Sequence, residues 1–275
     1  MKVQLLGTGA SDGIPAIFTE SRVNRYALDH GGKDRRTRSS ALIDDHLKVD
    51  FGPDTWIQVV ENKVDPSEWS AVLMTHSHED HLDRSEFQYF LYPFTEREFM
   101  PFPIYANQTV ADKLWERYPE WPLEIVVTRS YCPFEHQGYT ITPIKANHKL
   151  DEDSQNLIFQ RDGVTFLYGT DTGYWQDETW EFLTDFSLDG LVIECTEGLH
   201  RTSYYGHMDL KECVELVQRL RSSGILRPDA QVITTHHAHT GDLTHAELEE
   251  ALRPYRMVPG FDGMAIEVMS VSGRQ

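Results

Sequence analysis

The chain has 275 residues, 40% of them hydrophobic and 25% charged, with a formal net charge of −19. That length suits one large α/β domain and a sizeable core, so folding needs no disulfide or structural metal. The charge works against a long polyanion as partner, because an acidic surface repels phosphate backbones. Apolar runs such as Ala71–Met74 and Gly190–Ile193 fall far short of the ~20 residues that a membrane span requires. The first residues turn polar too early for a signal peptide, so a cytoplasmic protein is expected. Cys132, Cys195 and Cys213 are widely spaced and read as reduced, buried small residues.

In chain order, Lys2–Leu6 alternates around apolar positions and runs into Gly7-Thr8-Gly9, a strand closed by a tight loop. Ser40–Ile43 and Leu47–Phe51 flank Asp44-Asp45-His46 and read as a hairpin, with His46 a turn residue. Pro53 then opens a helix over Thr55–Asn62. Ala71–Thr75 is a strand that delivers His76 at its end. Helical spacing follows over Asp83–Phe90 and Gln108–Tyr118, separated by a stretch rich in Pro and aromatic residues, Tyr92 to Tyr105, read as packing.

Ile125–Val127, Thr140–Lys145 and Val164–Tyr168 are predicted strands, Asp177–Phe186 a helix and Leu191–Glu194 a strand. Asp209-Leu-Lys-Glu212 has the spacing of a capping box before the helix Cys213–Arg221, which stops at Gly224. Gln231–Thr235 is a strand, Thr244–Tyr255 a helix and Ala265–Val271 a last strand. Two groups of strands with interspersed helices predict two sheets face to face with helices outside, a four-layer αββα sandwich spanning residues 1–275 as one domain.

The segment His76-Ser-His78-Glu-Asp80-His81 carries the chemistry. Two histidines two apart in extended chain can point to one side, and Asp80 and His81 follow where the chain turns. Imidazole and carboxylate suit zinc, manganese or iron. Four ligands cannot complete two metal shells, and further donors stand at later strand ends: His148, Asp171 in Tyr-Gly-Thr-Asp-Thr-Gly, and His236 in Thr-His-His-Ala-His. The last motif also offers His237 and His239. His236 directly follows its strand.

This series, together with Leu6-Gly-Thr-Gly-Ala10, resembles the metallo-β-lactamase superfamily over essentially the whole chain. Within it the chain is most similar to the branch of ribonuclease Z and the cyclic ribose-phosphate phosphodiesterase. The resemblance implies two divalent ions, zinc or manganese with iron or nickel as alternatives. One is held by His76, His78 and His148, the other by Asp80, His81 and His236, and Asp171 bridges them. It implies a hydrolase that cleaves a small phosphodiester, cyclic or acyclic, with a hydroxide shared between the metals. Asp80 and His207 are the catalytic expectations, and His207 in Gly-His-Met-Asp matches the histidine that these phosphodiesterases place opposite the metals.

His239 reads as a supporting or substrate-facing residue. The basic run Lys33–Ser40 is either a solvated loop or a source of phosphate contacts through Arg38 or Ser39. The partner expected is a small anionic substrate, not a membrane or a nucleic acid, and a homodimer stays open. Two departures from the branch stand out. Thr19–Asn24 holds no cysteine where the cyclic phosphodiesterase has a structural zinc, so none is expected there. The chain also lacks the basic arm with which ribonuclease Z grips tRNA. The rival readings are a thioester or lactone hydrolase on the same fold, or an accessory protein of cofactor biosynthesis. An oxygen- or NO-reducing diiron protein would have a glutamate where His78 stands.

Overall fold

A computed structural model describes residues 1–96 and 102–270. The strands are β1 (Lys2–Gly7), β2 (Ser40–Ile43), β3 (Leu47–Val49), β4 (Ala71–Leu73), β5 (Ile104–Ala106), β6 (Ile125–Val127), β7 (Phe134–His136), β8 (Tyr139–Lys145), β9 (Gln155–Arg161), β10 (Val164–Gly169), β11 (Leu188–Glu194), β12 (Leu226–Thr235), β13 (Val258–Pro259) and β14 (Ala265–Glu267). The helices are α1 (Arg22–His30), α2 (Thr55–Asn62), α3 (Gln108–Arg117), α4 (Asp177–Leu183), α5 (Leu210–Ser222) and α6 (His245–Leu252). The strands form two seven-stranded sheets, ordered β14-β1-β2-β3-β4-β5-β6 and β13-β12-β11-β10-β9-β8-β7.

Side-chain alternation builds the layers. In β2, Ala41 and Ile43 enter the core between the sheets, while Leu42 points outward to meet the cluster that holds Val110 and Leu114 of α3. In β10, Phe166 and Tyr168 face the other sheet, and Leu167 packs outward with Trp180 of α4 and Leu216 of α5. Three apolar layers therefore alternate with two sheets. This is the four-layer sandwich expected from the strand grouping.

Some local expectations need correction. Asp83–Phe90 forms only a short 3-10 turn, Glu86–Phe90. Helix α1 and the short strands β5, β7 and β13, together with β9, were not assigned from the sequence. Cys195 and Cys213 are buried, but Cys132 is exposed, because it lies just past the turn at Ser130–Tyr131. All three are free thiols. Parts of the Tyr92–Tyr105 stretch (97–101) and Val271, the end of the predicted last strand, lie outside the described residues.

The segment without cysteines after the first loop is closed by hydrogen bonds. The Asn24 side chain accepts from Ala16 N and donates to the carbonyls of Ala16 and Thr19. Ser21 caps α1 through Asn24 N, and its hydroxyl also meets His239 Nδ1. No helix among the described residues is long and apolar enough to cross a membrane.

Candidate metal centre

Five strands end at one place. β4 leads into His76, His78, Asp80 and His81, while β8, β10, β11 and β12 lead to His148, Asp171, Glu194 and His236. Two groups of metal-capable side chains form there: His76, His78, His148 and Asp171, and then Asp80, His81, Asp171 and His236. Asp171 is the member they share. These are the seven residues that the sequence motif and the strand ends nominate, and the structure brings all of them together.

The first group is tightly drawn. His78 Nδ1 lies 3.1 Å from His76 Nε2 and 3.0 Å from His148 Nε2. Donors about 2.0–2.1 Å from a shared tetrahedral ion would stand roughly 3.3 Å apart, so three ring nitrogens at this spacing fit a common centre. In the second group, His81 Nε2 lies 3.1 Å from Asp80 Oδ2 and 3.0 Å from Asp171 Oδ2. His236 Nε2 is 3.1 Å from the same Asp171 oxygen. Both of these nitrogens are buried and make no aligned hydrogen bond. A buried ring nitrogen without a partner is costly unless a ligand takes its lone pair, and a cation fits that need.

The Asp171 carboxylate divides between the groups. Oδ1 faces His148 Nε2 at 3.5 Å and His76 Nε2 at 3.9 Å, whereas Oδ2 faces His81 and His236. Burial alone would raise the Asp171 pKa, but the imidazoles around it, led by His236 and His81, hold it well below the usual carboxylate range. Asp171, His236 and Asp50 all adopt left-handed backbone (φ 49°, 56° and 59°), a conformation that non-glycine residues take at some cost and that concentrates at functional sites.

The remaining ring nitrogens are fixed by neighbours. His81 Nδ1 donates to Asp50 Oδ2 at 2.6 Å, and Asp50 also accepts from Thr75 N and Oγ1. His148 Nδ1 donates to the carbonyl of Gly206, while His236 Nδ1 meets Thr196 Oγ1 and His76 Nδ1 meets Thr75 Oγ1. Partners of this kind fix which nitrogen is free for a metal.

His207 stands beside both groups. Its ring stacks on His236 at 5.2 Å and lies 4.9 Å from His148. Its Nδ1 donates to Glu194 Oε1 at 2.9 Å. Glu194 is fully buried and accepts from Thr172 N, Thr196 N and Oγ1, and Met208 N as well. Although Glu194, His207 and His236 lie within metal-binding distance of one another, those bonds leave Glu194 no lone pair for an ion. Its geometry is that of a residue holding His207. Burial pulls the His207 pKa down, and the ion pair with Glu194 overrides it and holds the ring up at about 9.

Sequence reading missed Asp50 and Glu194. The available signal was an acidic residue closing an apolar strand, in Lys-Val-Asp50 and in Leu-Val-Ile-Glu194. Three expected substrate contacts have other partners. Arg38 pairs with Asp54 at 3.1 Å, and buried Ser39 donates its hydroxyl to the Gly9 carbonyl. His239 bridges Ser21 Oγ and Asp12 Oδ2. His237 turns its ring to Thr234 Oγ1 and the carbonyl of Cys195, away from both groups.

Residues 48–237 match the family described as the beta-lactamase superfamily domain. The chain belongs to that superfamily. Its two His/Asp groups could each hold a metal ion. Over 288 aligned residues it is 26% identical to an octanoyltransferase of Porphyromonas gingivalis (strain ATCC BAA-308 / W83). That match covers 96% of this chain and 51% of the relative, so the chain spans about half the length of that curated protein. Among solved structures, a new diphosphatase from the PhnP family superposes with a TM-score of 0.77 at 23% identity, over 97% of each chain. Zn(2+)-bound PqqB from Methylobacterium extorquens superposes with a TM-score of 0.74 at 15% identity, over 97% of this chain and 100% of that one. Both likenesses are of fold.

Proposed function

We propose that this superfamily member is a dinuclear phosphodiesterase for a small anionic diester. The observation that carries the reading is the divided carboxylate of Asp171, one oxygen toward each histidine group, with His207 held opposite by Glu194. In this reading His76, His78 and His148 hold one ion, Asp80, His81 and His236 the other, and Asp171 serves both. When bound, such a pair supplies Lewis acidity toward the phosphoryl oxygens and brings the pKa of water down toward about 7.

The chain's own residues do the rest. Glu194 fixes the His207 ring and keeps it charged, so that the ring can give a proton to the departing alkoxide or neutralise a non-bridging oxygen. Asp50, Thr75, Thr196 and the Gly206 carbonyl fix the tautomers of the metal-binding rings. The net charge of −19 favours a small substrate over a polynucleotide. We further propose that residues 1–275 act as one domain, because the central core draws on both sheets.

A second reading, an acyl ester or thioester hydrolase, is favoured by the 26% identity to an octanoyltransferase. One assay separates the two. Metal-loaded protein is offered bis(p-nitrophenyl) phosphate and an octanoyl thioester, with and without chelator. The phosphodiesterase reading expects chelator-sensitive release of p-nitrophenolate that clearly exceeds thioester cleavage. Cleavage of the thioester alone would overturn it in favour of the second reading.

A further inference from the structure

The loop that delivers His207 also delivers an aromatic surface. Between β11 and α5, Tyr204 and Tyr205 are 38% and 42% exposed, with rings 5.3 Å apart. The Tyr204 ring lies 5.3 Å from His207 and 5.8 Å from His148, so it borders the metal centre directly. Its position is built. A Cβ on Gly206 would sit 2.6 Å from the Tyr204 ring carbons, so only glycine lets the ring lie there. A Cβ on Gly173, two residues past Asp171, would fall 1.8 Å from the Tyr205 carbonyl, which seats the same loop against the strand end that carries Asp171.

Burial of the Tyr204 phenol raises its pKa to about 12, so it stays neutral. The hydroxyl donates to the His148 carbonyl at 3.3 Å. The side chain is thus an uncharged, partly exposed aromatic beside a strongly polar centre.

We infer that Tyr204 is a substrate-contacting residue, an aromatic platform that stacks on a planar ring attached to the phosphate, which makes the substrate class a nucleoside-type phosphodiester. This rests on the phosphodiesterase reading. The Tyr204 ring, 5.3 Å from the His207 ring, is within reach of a group attached to a phosphoryl lying against His207. Stacking of a base on an aromatic side chain changes affinity by roughly 5- to 150-fold. It tolerates any base, because each has a π face.

The test uses two substrates with the same non-aromatic leaving group, thymidine 5′-(2,2,2-trifluoroethyl) phosphate and methyl 2,2,2-trifluoroethyl phosphate. They differ only in the group that would meet Tyr204. The metal-loaded wild type should prefer the thymidine ester at least tenfold in kcat/KM. Tyr204→Leu should remove most of that preference, chiefly through KM, and Tyr204→Phe should keep it. Calorimetry with thymidine 5′-monophosphate should show about tenfold weaker binding to Tyr204→Leu. Equal losses on both diesters would mark Tyr204 as a merely structural residue and overturn the inference. So would a wild type without preference, or a Phe variant as poor as the Leu variant. If the wild type cleaves neither diester while a thioester is cleaved, the phosphodiesterase reading itself has failed and the platform falls with it.

Discussion

The two halves of the centre are assembled in opposite ways. On the first sheet, one six-residue loop after β4 brings His76, His78, Asp80 and His81 together. On the second, His148, Asp171 and His236 arrive singly from β8, β10 and β12, and His207 comes from a loop between β11 and α5. The first set depends on local backbone. The second depends on register: β10 pairs in parallel with β11, and β11 with β12, which sets Gly169, Ile193 and Thr234 level and so brings the strand ends to a common height. A change in the first half should therefore act on particular ligands, whereas a change in the second should report on how the halves are joined.

Asp171 is the joint, and the largest effect is expected there. Its two oxygens face different groups, so Asp171→Ala should lower occupancy at both metal sites together. Turnover should fall by more than the ~10–100-fold typical of outer partners. Elemental analysis and circular dichroism on the same sample check this. Two retained metals with a native fold would show that the halves do not depend on Asp171.

The same contrast explains what the sequence disclosed. His76–His81 is legible because its spacing is local. His148, Asp171 and His236 are legible only as a set, since each alone is an ordinary loop residue. Asp50 and Glu194 left only a weak local sign, an acidic residue closing an apolar strand, because their meaning lies in partners elsewhere in the chain: His81 for Asp50, and His207, Thr172 and Met208 for Glu194.

The fold follows the same rule. Thr244-x-x-Glu247 forms a capping box in both directions. At Asp209 only half of it forms, because the Glu212 side chain pairs with Arg201 instead of reaching back. Strand β9 was missed although its neighbours were found, and α1 was missed because only Val23, Asn24 and Ala27 are buried on it, too sparse a pattern to stand out.

His207 comes next in expected effect, and it sharpens the division between holding metal and acting on substrate. His207→Ala should keep both metals and lose roughly 10²–10⁴ in turnover. The loss should be greater for diesters with alkyl leaving groups than for p-nitrophenyl esters, whose leaving group scarcely needs a proton. Loss of metal would instead make His207 a ligand and place it with His236.

The two buried carboxylates should then behave differently. Asp50→Asn removes the carboxylate charge and leaves one acceptor oxygen where His81 Nδ1 and Thr75 N now have two, so metal affinity at one site should weaken by about 10–100-fold. Glu194→Gln should leave metal affinity close to that of the wild type and lower turnover by a similar factor. Titration with a metal-binding dye, run beside the diester assay, distinguishes them. If both variants lose metal equally, Glu194 supports the second ion and not the His207 ring.

The smallest expected effect is a pH limb, and it tests why His207 is charged. Burial acts to lower its pKa, but the Glu194 carboxylate, through its charge and its hydrogen bond, lifts it from 6.5 to about 9. A raised pKa in the folded state means that the ion pair stabilises the fold fully below about pH 6.5. That contribution should fade as pH climbs and be gone once the ring has lost its proton above about 9. In metal-stripped protein, NMR titration of the His207 ring should place its midpoint well above 7. Glu194→Gln should lower that midpoint markedly, since burial is then opposed only by the charges of Asp171 and Glu197. Two bound dications repel a charged imidazole, so metal loading should shift the midpoint, and with it the alkaline limb of turnover, to lower pH. A midpoint that ignores both Glu194→Gln and metal would mean that neither the carboxylate nor the centre governs the ring, and His207 would lose its role as proton donor.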